Sequence, residues 1–553
     1  MSLNAIKGKD HSINYGTFRA LVVDDYPGMR SALKMTLSNF GVTKIDLACS
    51  AAEVLFKVGN NSYHIILCDF NLGEGRDGQQ LLEELRHRGL ISLDTAFVMV
   101  TAESVYEKVV ATAELAPDDY MIKPFSAELM RNRLESILLK KQAFSRVYRH
   151  YEANELEASI AACDEVLKNH PKYVVDALRF KGEILNAMGR FQEAEALYQQ
   201  VINMRAIPWA RLGLAKALHL QKKDQEAEEI LHDVLEKTPE MVSAYDLLAD
   251  VRLAKKDGVG AQAALQQGVA ISGKTVRRQQ KLGALAQENG DLDTARVAFS
   301  TVLEKGQHSV FVSSTDFGNL CRVQIEQGDV NAAMDTLKRG KHTLQASPEG
   351  QMVSAVVQSV AHTQAGRNEE AMKALDEAAR LRGEGTRVDE RIMLDMAGSC
   401  MALGRHAEAD AIVGEVARNA HDSETLLAKA RKLYEESGRG AVGNQVLAAA
   451  TADVRKLNNE GVMLAHKGDF QGAMDRMRQA CTEAPFNPRI LMNGIWVIMK
   501  YLEQSGMDHE LLDEAVRLLG EVEKQSPGHA RIAGLRNQIK EVEARFGIRR
   551  RAA

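Results

Sequence analysis

The first 140 residues alternate short apolar runs with longer segments of mixed character. The short runs occupy residues 18–23, 44–48, 63–67, 96–100 and 120–122, and the third of them is rich in β-branched residues and almost free of charge. In the segments between them, apolar residues recur at helical spacing, as Leu81, Leu82 and Leu85 do. Buried strands that alternate with amphipathic helices are typical of a parallel sheet with right-handed crossovers. We therefore predict an α/β domain over residues 17–140, after an extension at residues 1–16.

Polar residues stand where the apolar runs end. Asp24 and Asp25 follow the first run, Asp69 the third, Thr101 the fourth and Lys123 the fifth. The carboxyl ends of parallel strands lie at one edge of the sheet, where such folds bind ligands. A single Asp or Thr in this position is commonly a helix cap, and a single Lys is commonly solvated. Their occurrence after several different strands favours a shared site.

The residue types in this predicted site suit phosphoryl transfer. Carboxylates packed together repel one another unless a cation joins them, and hard oxygen ligands suit Mg²⁺. Lys123 supplies a positive charge and Thr101 a hydroxyl for phosphoryl oxygens, while Asp69 is the expected attacking carboxylate. No Gly-rich phosphate-binding loop with a Lys-Ser/Thr ending lies nearby, so a nucleotide bound here is not the expected donor.

Short motifs at these strand ends resemble the receiver domain of bacterial two-component response regulators. The resemblance covers roughly residues 17–140 and is carried by Val22-Val23-Asp24-Asp25, Cys68-Asp69-Phe70-Asn71, Val100-Thr101-Ala102 and Asp118-Asp119-Tyr120-Met121-Ile122-Lys123-Pro124-Phe125. It implies a flavodoxin-like sheet of five parallel strands in the order 2-1-3-4-5. It also implies that Asp69 accepts phosphate from a sensor histidine kinase or a phosphotransfer protein.

The same resemblance implies roles for further residues. Asp25, Asp69 and the main-chain carbonyl of Asn71 would hold Mg²⁺, and Asp24 would complete the acidic pocket directly or through water. Thr101 and Tyr120 are similar to the family's switch pair, in which the hydroxyl moves to the phosphate and the ring turns inward. Asn71 and Glu103 stand where the family tunes the lifetime of the phosphate. Ala116-Pro117 departs from the family's pattern without removing a catalytic group.

The residues after 140 repeat with a period of about one helix pair. Alanines that follow a Gly/Lys-Asp/Arg turn recur at intervals that are mostly 33 to 38 residues, at positions 158, 194, 227, 261, 295, 333, 371, 409, 473 and 515. The pattern resembles the tetratricopeptide repeat, TPR, which has two antiparallel helices in each unit. We predict an all-α TPR superhelical solenoid over residues 142–545, with about ten helix pairs, a capping helix from about residue 529 and a tail at residues 546–553.

A stacked array of this kind leaves a concave groove that binds another protein. A chaperone's C-terminal carboxylate is not the expected ligand, because Glu183, Ala284 and Val462 stand where that clamp uses Asn. Residues 126–170 contain neither Gly nor Pro. The last helix of the α/β domain, near residues 126–139, is therefore expected to run almost directly into the first repeat helix, near residues 144–151.

Composition excludes several other classes of protein. The chain has 553 residues, too many for one core, and a net charge of −5 with both signs mixed, so nucleic acid is not the expected partner. The six cysteines are scattered, as expected in a reducing compartment. No window approaches 18 unbroken apolar residues and residues 1–15 do not resemble a signal peptide, so we predict a cytoplasmic protein without membrane contact.

Two functional hypotheses remain open at this point. In the first, the chain is a response regulator whose phosphorylation modulates protein binding by the repeats. In the second, the repeats are a constitutive scaffold and the receiver serves localisation or drains phosphate from a kinase. No second catalytic constellation stands out in residues 142–545. The chain is therefore not expected to be an enzyme beyond its own phosphorylation and dephosphorylation.

Overall fold

The computed structural model describes residues 13–73, 75–102, 117–204, 207–273, 275–526 and 530–547. Its described residues divide into two compact units. The first contains the residues up to Asn186 together with Arg190–Leu285 and Thr301–Val312. The second contains Ala187–Gly189, Ala286–Ser300 and the residues from Ser313 onward.

The first unit begins with a parallel sheet. Its strands are β1 (Arg19–Val23), β2 (Lys44–Ala48), β3 (Ile65–Asp69), β4 (Ala96–Thr101) and β5 (Asp119–Ile122). All neighbours pair in parallel in the order β2-β1-β3-β4-β5, which confirms the predicted topology. The connecting helices are α1 (Pro27–Phe40), α2 (Ala51–Asn60) and α3 (Gly78–His87). A helix is also expected from the sequence between β4 and β5, near residues 105–115, but this stretch lies outside the described residues.

Alternate residues of the central strands face the two sides of the sheet. On β3, Ile66 and Cys68 pack into one cluster and Ile65 and Leu67 into the other, and all four are 0% exposed. A strand covered on both faces has no solvated side, which explains its continuous apolar run. Helix α2 continues through Gly59 and ends at Asn60.

Helices make up the rest of the described chain. The first of them are α4 (Ala127–Glu152), α5 (Leu156–Asn169), α6 (Val174–Ala187), α7 (Phe191–Met204), α8 (Pro208–Leu220), α9 (Asp224–Lys237), α10 (Val242–Ala254), α11 (Gly258–Ile271), α12 (Val276–Glu288) and α13 (Leu292–Lys305). They continue as α14 (Ser314–Glu326), α15 (Val330–Arg339), α16 (Lys341–Gln345), α17 (Pro348–Gln364), α18 (Asn368–Gly383), α19 (Glu390–Ala402), α20 (His406–Asn419), α21 (Glu424–Glu436), α22 (Gly440–His466), α23 (Phe470–Glu483), α24 (Pro488–Ser505), α25 (His509–Gln525) and α26 (Ala530–Arg545).

Eight of the ten recurring alanines mark the fourth residue of a helix, whereas Ala515 is the seventh residue of its helix, α25. Those at 194, 227, 261, 295, 333, 371, 409 and 473 each hold that position and are 0% exposed. In the first repeat the prediction of Ala158 is wrong, because Ser159 is the fourth residue of α5 and is fully buried. The Ser159 hydroxyl donates to the Val147 carbonyl at 2.9 Å, so its burial leaves no unpaired hydroxyl.

Small residues let neighbouring helices approach closely in the repeats. A Cβ atom on Gly182 would lie 2.5 Å from the Tyr198 ring, and one on Gly213 would meet the same ring at 2.5 Å.

The long interval before Ala473 is explained by α22, which is one helix of 27 residues that packs against α21 before it and α23 after it. It therefore serves both as the second helix of one pair and as the first of the next.

Candidate functional site

The strand-end carboxylates lie together at one edge of the sheet. Asp24 follows β1 and Asp69 ends β3, and each of Asp24, Asp25 and Asp69 offers an oxygen within 4.8 Å of the others. Lys123, directly after β5, has its ammonium nitrogen 3.0 Å from Asp24 Oδ2 and 3.1 Å from Asp69 Oδ2. The topology thus brings the predicted carboxylates and the predicted lysine into one cluster.

Main-chain hydrogen bonds fix this cluster to the sheet. The amide of Lys123 donates to the Thr101 carbonyl at 2.7 Å, which joins the ends of β4 and β5. The amide of Asp24 donates to the Ala48 carbonyl at 3.2 Å, and its carboxylate accepts from the Tyr26 amide at 2.9 Å. The acidic turn is thereby held on both sides before α1 begins.

Sequence reasoning did not identify Arg30 as part of this turn. Its guanidinium donates to the main-chain carbonyls of Asp24, at 2.5 Å, and of Asp25, at 2.9 Å. Its position could have indicated this contact, because Arg30 is a basic residue in the first turn of the helix that follows the acidic pair. A basic residue in that position is commonly solvated, however, so the position alone did not predict the contact.

Burial and charge act in opposite directions on the cluster. Burial raises the pKa of Asp69, and although the Lys123 ammonium lowers it, the net shift of the pKa is upward. Burial lowers the pKa of Lys123, but its hydrogen bonds to Asp24 and Asp69 outweigh that and the net pKa is raised. Asp24 is 1% exposed while Asp25 is exposed to solvent. The lysine therefore stays charged, and further positive charge would still be favoured beside the carboxylates.

The loop after Asp69 approaches the cluster closely. The Gly78 amide donates to the Phe70 carbonyl at 2.7 Å, and a Cβ atom on Gly78 would lie 2.4 Å from the Asp69 carbonyl oxygen. Only glycine permits this approach. The Asn71 side chain is exposed and accepts from the Gly73 amide at 3.1 Å, which forms a local turn in the same loop.

The two residues of the predicted switch pair occupy adjacent strands. Thr101 ends β4 and is 3% exposed, and Tyr120 on β5 is 9% exposed and lies opposite Met99 in the sheet register. Burial raises the pKa of Tyr120, and within the described residues its hydroxyl has no hydrogen-bond partner. Their switching role stays a prediction, and Glu103 lies outside the described residues.

Helix α4 joins the sheet to the repeats without a break. Its 26 residues cover both the predicted last helix of the α/β domain and the predicted first repeat helix. The Lys141 ammonium lies 2.6 Å from the Asp118 carboxylate and 2.7 Å from the Leu93 carbonyl, and Ser145 donates to Asp94 at 2.9 Å. The second half of the helix is thus bound to the loops that precede β4 and β5.

Family comparisons agree that the chain consists of an α/β domain followed by helical repeats. Residues 20–135 match the response regulator receiver domain family, and two tetratricopeptide repeat families match residues 144–208 and 185–251. Receiver domains generally bind Mg²⁺ at an acidic cluster, and the three carboxylates described above provide one. In the described part of the chain, no helix combines the length and apolar character needed to span a membrane.

Individual relatives resemble the α/β domain. The probable transcriptional regulator ycf27 of Cyanidium caldarium is 32% identical over 133 residues, which cover 24% of this chain and 51% of that protein. The chain thus spans about half the length of that relative. The chemotaxis protein CheY of Pseudomonas aeruginosa is 27% identical over 119 residues, which cover 22% of this chain and 94% of CheY.

A tetratricopeptide repeat protein from Parabacteroides merdae is similar to this chain at 14% identity, over 46% of this chain and 96% of that one, with a TM-score of 0.29. So low a score does not itself establish a common fold. The repeat assignment rests instead on the family matches and on the buried alanine that recurs as the fourth residue of a helix in most of the pairs. The chain therefore carries a response regulator receiver domain at residues 20–135, followed by tetratricopeptide repeats.

Proposed function

We propose that this protein is a two-component response regulator in which phosphorylation of Asp69 modulates protein binding by the repeats. The observation that carries the proposal is the cluster in which Lys123 contacts both Asp24 and Asp69 at 3.0 and 3.1 Å. A carboxylate beside a fixed ammonium, with two more carboxylates within 4.8 Å, supplies a nucleophile and a place for compensating positive charge.

The donor set suits Mg²⁺ as the cofactor of this reaction. Asp25, Asp69 and the main-chain carbonyl of Asn71 would hold it, with Asp24 direct or through water. All of these are oxygen ligands, which Mg²⁺ prefers, and a divalent ion retains several waters in such a site. When bound, Mg²⁺ supplies positive charge for the phosphoryl oxygens.

The proposed reaction transfers a phosphoryl group from a phosphohistidine of a sensor kinase or a phosphotransfer protein. An Asp69 oxygen forms the new bond to phosphorus while the phosphorus–nitrogen bond of the donor breaks, and the imidazole leaves with its electron pair and takes a proton. Lys123 holds charge on the phosphoryl oxygens and Thr101 donates a hydrogen bond to one of them. Asn71 and Glu103 would then tune hydrolysis of the product.

The repeats supply the proposed output, which is binding of a protein partner. Helix α4 supports this coupling, since one continuous helix leaves the receiver and contributes to the first helix pair. No catalytic output beyond the receiver's own chemistry is proposed, and neither nucleic acid nor a membrane is a proposed partner. A cytoplasmic location stays a prediction.

The site is tested by labelling with acetyl phosphate and Mg²⁺. Asp69→Asn is expected to abolish labelling, because the amide cannot form the acyl phosphate. Asp46→Asn is the matched control, since Asp46 is also a receiver carboxylate with a cationic partner, Arg19 at 2.8 Å, but it lies on β2. Labelling that persists in Asp69→Asn, or that is lost equally in both variants, would contradict the assignment.

The output is tested by comparing partner capture in the two receiver states. The parent protein with Mg²⁺ and beryllofluoride, a phosphate mimic, is expected to retain a different set or amount of proteins than the parent alone. Asp69→Asn treated in the same way is expected to show no difference. Equal capture in both states of the parent would favour the alternative, a constitutive scaffold whose receiver serves localisation or drains phosphate.

A further inference from the structure

A second contact joins the receiver to the repeats, far along the chain from α4. Arg76 Nε donates to the main-chain carbonyl of His308 at 2.8 Å, and Gln80 Nε2 donates to that of Lys305 at 3.1 Å. The ring of His87 meets the ring of Phe311 edge-on, with centroids 5.0 Å apart. We call these three contacts the latch. Its residues all belong to the first compact unit.

The repeat side of the latch is a structured connection. Eight residues, 306–313, separate α13 from α14. The Phe311 carbonyl accepts from Gln280 Nε2 at 2.8 Å, and the Arg277 guanidinium lies over the Phe311 ring at 4.0 Å. Gln80 meets the last residue of α13, where a helix leaves carbonyls without partners inside the helix. The receiver therefore caps a helix of the repeats.

The receiver side of the latch is tied closely to Asp69. Arg76 Nη1 lies 2.8 Å from the Glu84 carboxylate, which is only 4% exposed. Gln80 closes a capping box with Asp77: its Oε1 accepts from the Asp77 amide at 3.2 Å, while the Gln80 amide donates to Asp77 at 2.7 Å. The Gly78 amide is in turn bound to the Phe70 carbonyl. Only a short loop therefore separates Asp69 from the latch residues Arg76 and Gln80.

The latch coexists with a direct pair between Lys123 and Asp69. The ammonium lies 3.1 Å from Asp69 Oδ2, so a phosphoryl group bonded to that oxygen would change this contact. The loop that follows Asp69 carries Arg76 and leads into α3. Both hydrogen bonds of the latch are exposed, and such bonds contribute little net stability.

We infer that the latch is an inhibitory contact, formed while Asp69 is unmodified and released by its phosphorylation, which frees residues 305–313 of the repeats. The inference rests on the proposed function, because it describes how phosphorylation of Asp69 would reach the repeats. Coupling between two sites typically changes affinity by about 5- to 150-fold and is reciprocal. A protein whose latch is already open is therefore expected to bind a phosphate mimic more tightly. The increase in affinity equals the factor by which the bound mimic shifts the latch towards its open state.

Gln80→Glu tests this route with little disturbance of α3. Glutamate keeps the oxygen that caps Asp77 but loses the donor to Lys305, and it places a carboxylate against a carbonyl. Gln351→Glu is the matched control, because Gln351 Nε2 also donates to an exposed main-chain carbonyl, that of Gln345 at 3.2 Å, within the repeats. The readout is amide hydrogen exchange of the full chain, with and without Mg²⁺ and beryllofluoride.

In the parent and in Gln351→Glu, the mimic is expected to raise exchange at residues 305–313 by at least about fivefold. In Gln80→Glu, exchange there is expected to be fast without the mimic, and the mimic is expected to bind more tightly by a similar factor. Unchanged protection of β1, β3 and β4 shows that the variant has folded. Exchange at residues 305–313 that is unchanged or slower, while the loop after Asp69 responds to the mimic, overturns the latch and leaves the proposed function intact. No response at either place contradicts the proposed function itself.

Discussion

Lys140 and Lys141 are neighbours on α4, yet replacing them with methionine is expected to have different consequences. The Lys141 side chain is 11% exposed and donates to the Asp118 carboxylate at 2.6 Å and to the Leu93 carbonyl at 2.7 Å. Burial lowers the pKa of Lys141, and the Asp118 carboxylate opposes that shift. The Lys140 side chain is 41% exposed and pairs with Asp176, which is equally exposed.

The magnitude follows from what each replacement leaves behind. A hydrogen bond that involves a charged group contributes about 1.5–3 kcal/mol. Asp118 keeps a hydrogen bond from the Phe97 amide at 2.9 Å, and its side chain is 22% exposed, so it is not stranded without a partner. Methionine also fills the space of the lysine stem. We therefore expect Lys141→Met to cost about 1.5–2 kcal/mol, and Lys140→Met at most about 0.5 kcal/mol, as for exposed ion pairs.

Native-state hydrogen exchange measures this difference locally, without assuming that so long a chain unfolds in one step. The expected gap of about 1–2 kcal/mol corresponds to a factor of about 5–30 in the protection of amides in β4, β5 and the middle of α4. Lys140→Met is the matched control on the same helix. Equal loss of protection in the two variants would refute the reasoning that the buried lysine holds the receiver to the repeats.

Three further predictions concern packing, charge and the metal. Gly182→Ala is expected to destabilise its helix pair by about 1–3 kcal/mol, because the added Cβ would meet the Tyr198 ring. Gly520→Ala is expected to stabilise its helix by about 0.5–1 kcal/mol, because there is open space around the added Cβ. Amide hydrogen exchange in each helix should be faster in the first variant and slower in the second. The Lys255 hydrogen bond lowers the pKa of Glu228 from 4.5 to about 2, so the stabilising contribution of this carboxylate is present above about pH 4.5 and is lost as pH falls through about 2. In native-state hydrogen exchange, Glu228→Gln should therefore cost about 1 kcal/mol of local protection at pH 7 and less near pH 2. Removing divalent cations with a chelator should abolish labelling by acetyl phosphate and added Mg²⁺ should restore it; labelling that survives chelation would contradict the metal assignment.

Much of the receiver could be predicted from local patterns. Short apolar runs predicted the strands, and polar residues at their ends predicted a cluster at one edge of the sheet. These predictions succeed because the side-chain period of a strand and the topology of a parallel sheet are set by the backbone. The absence of Gly and Pro between residues 126 and 170 likewise predicted that the last receiver helix runs almost directly into the first repeat helix, and α4 covers both as one helix over Ala127–Glu152.

The repeats show where local patterns are insufficient. The recurring alanine predicted the period, but in the first repeat it selected Ala158, while Ser159 holds the buried position. Two adjacent small residues cannot be distinguished from the sequence pattern alone. Which of them is buried depends on which one faces the neighbouring helix. The sequence analysis did not identify the long helix α22, because no local pattern shows that one helix serves two pairs.

The sequence by itself determined the alternation of strands and helices, the helix period and the residue types available for phosphoryl transfer, since each follows from local spacing and backbone geometry. The strand order was implied only by the resemblance of the strand-end motifs to a known family. Only the tertiary structure decided that Arg76 meets the carbonyl of His308, 232 residues further along the chain. The physical reason is that a main-chain acceptor carries no residue-specific signal. Its position in space is the sum of many helix packings, and no local pattern encodes that sum.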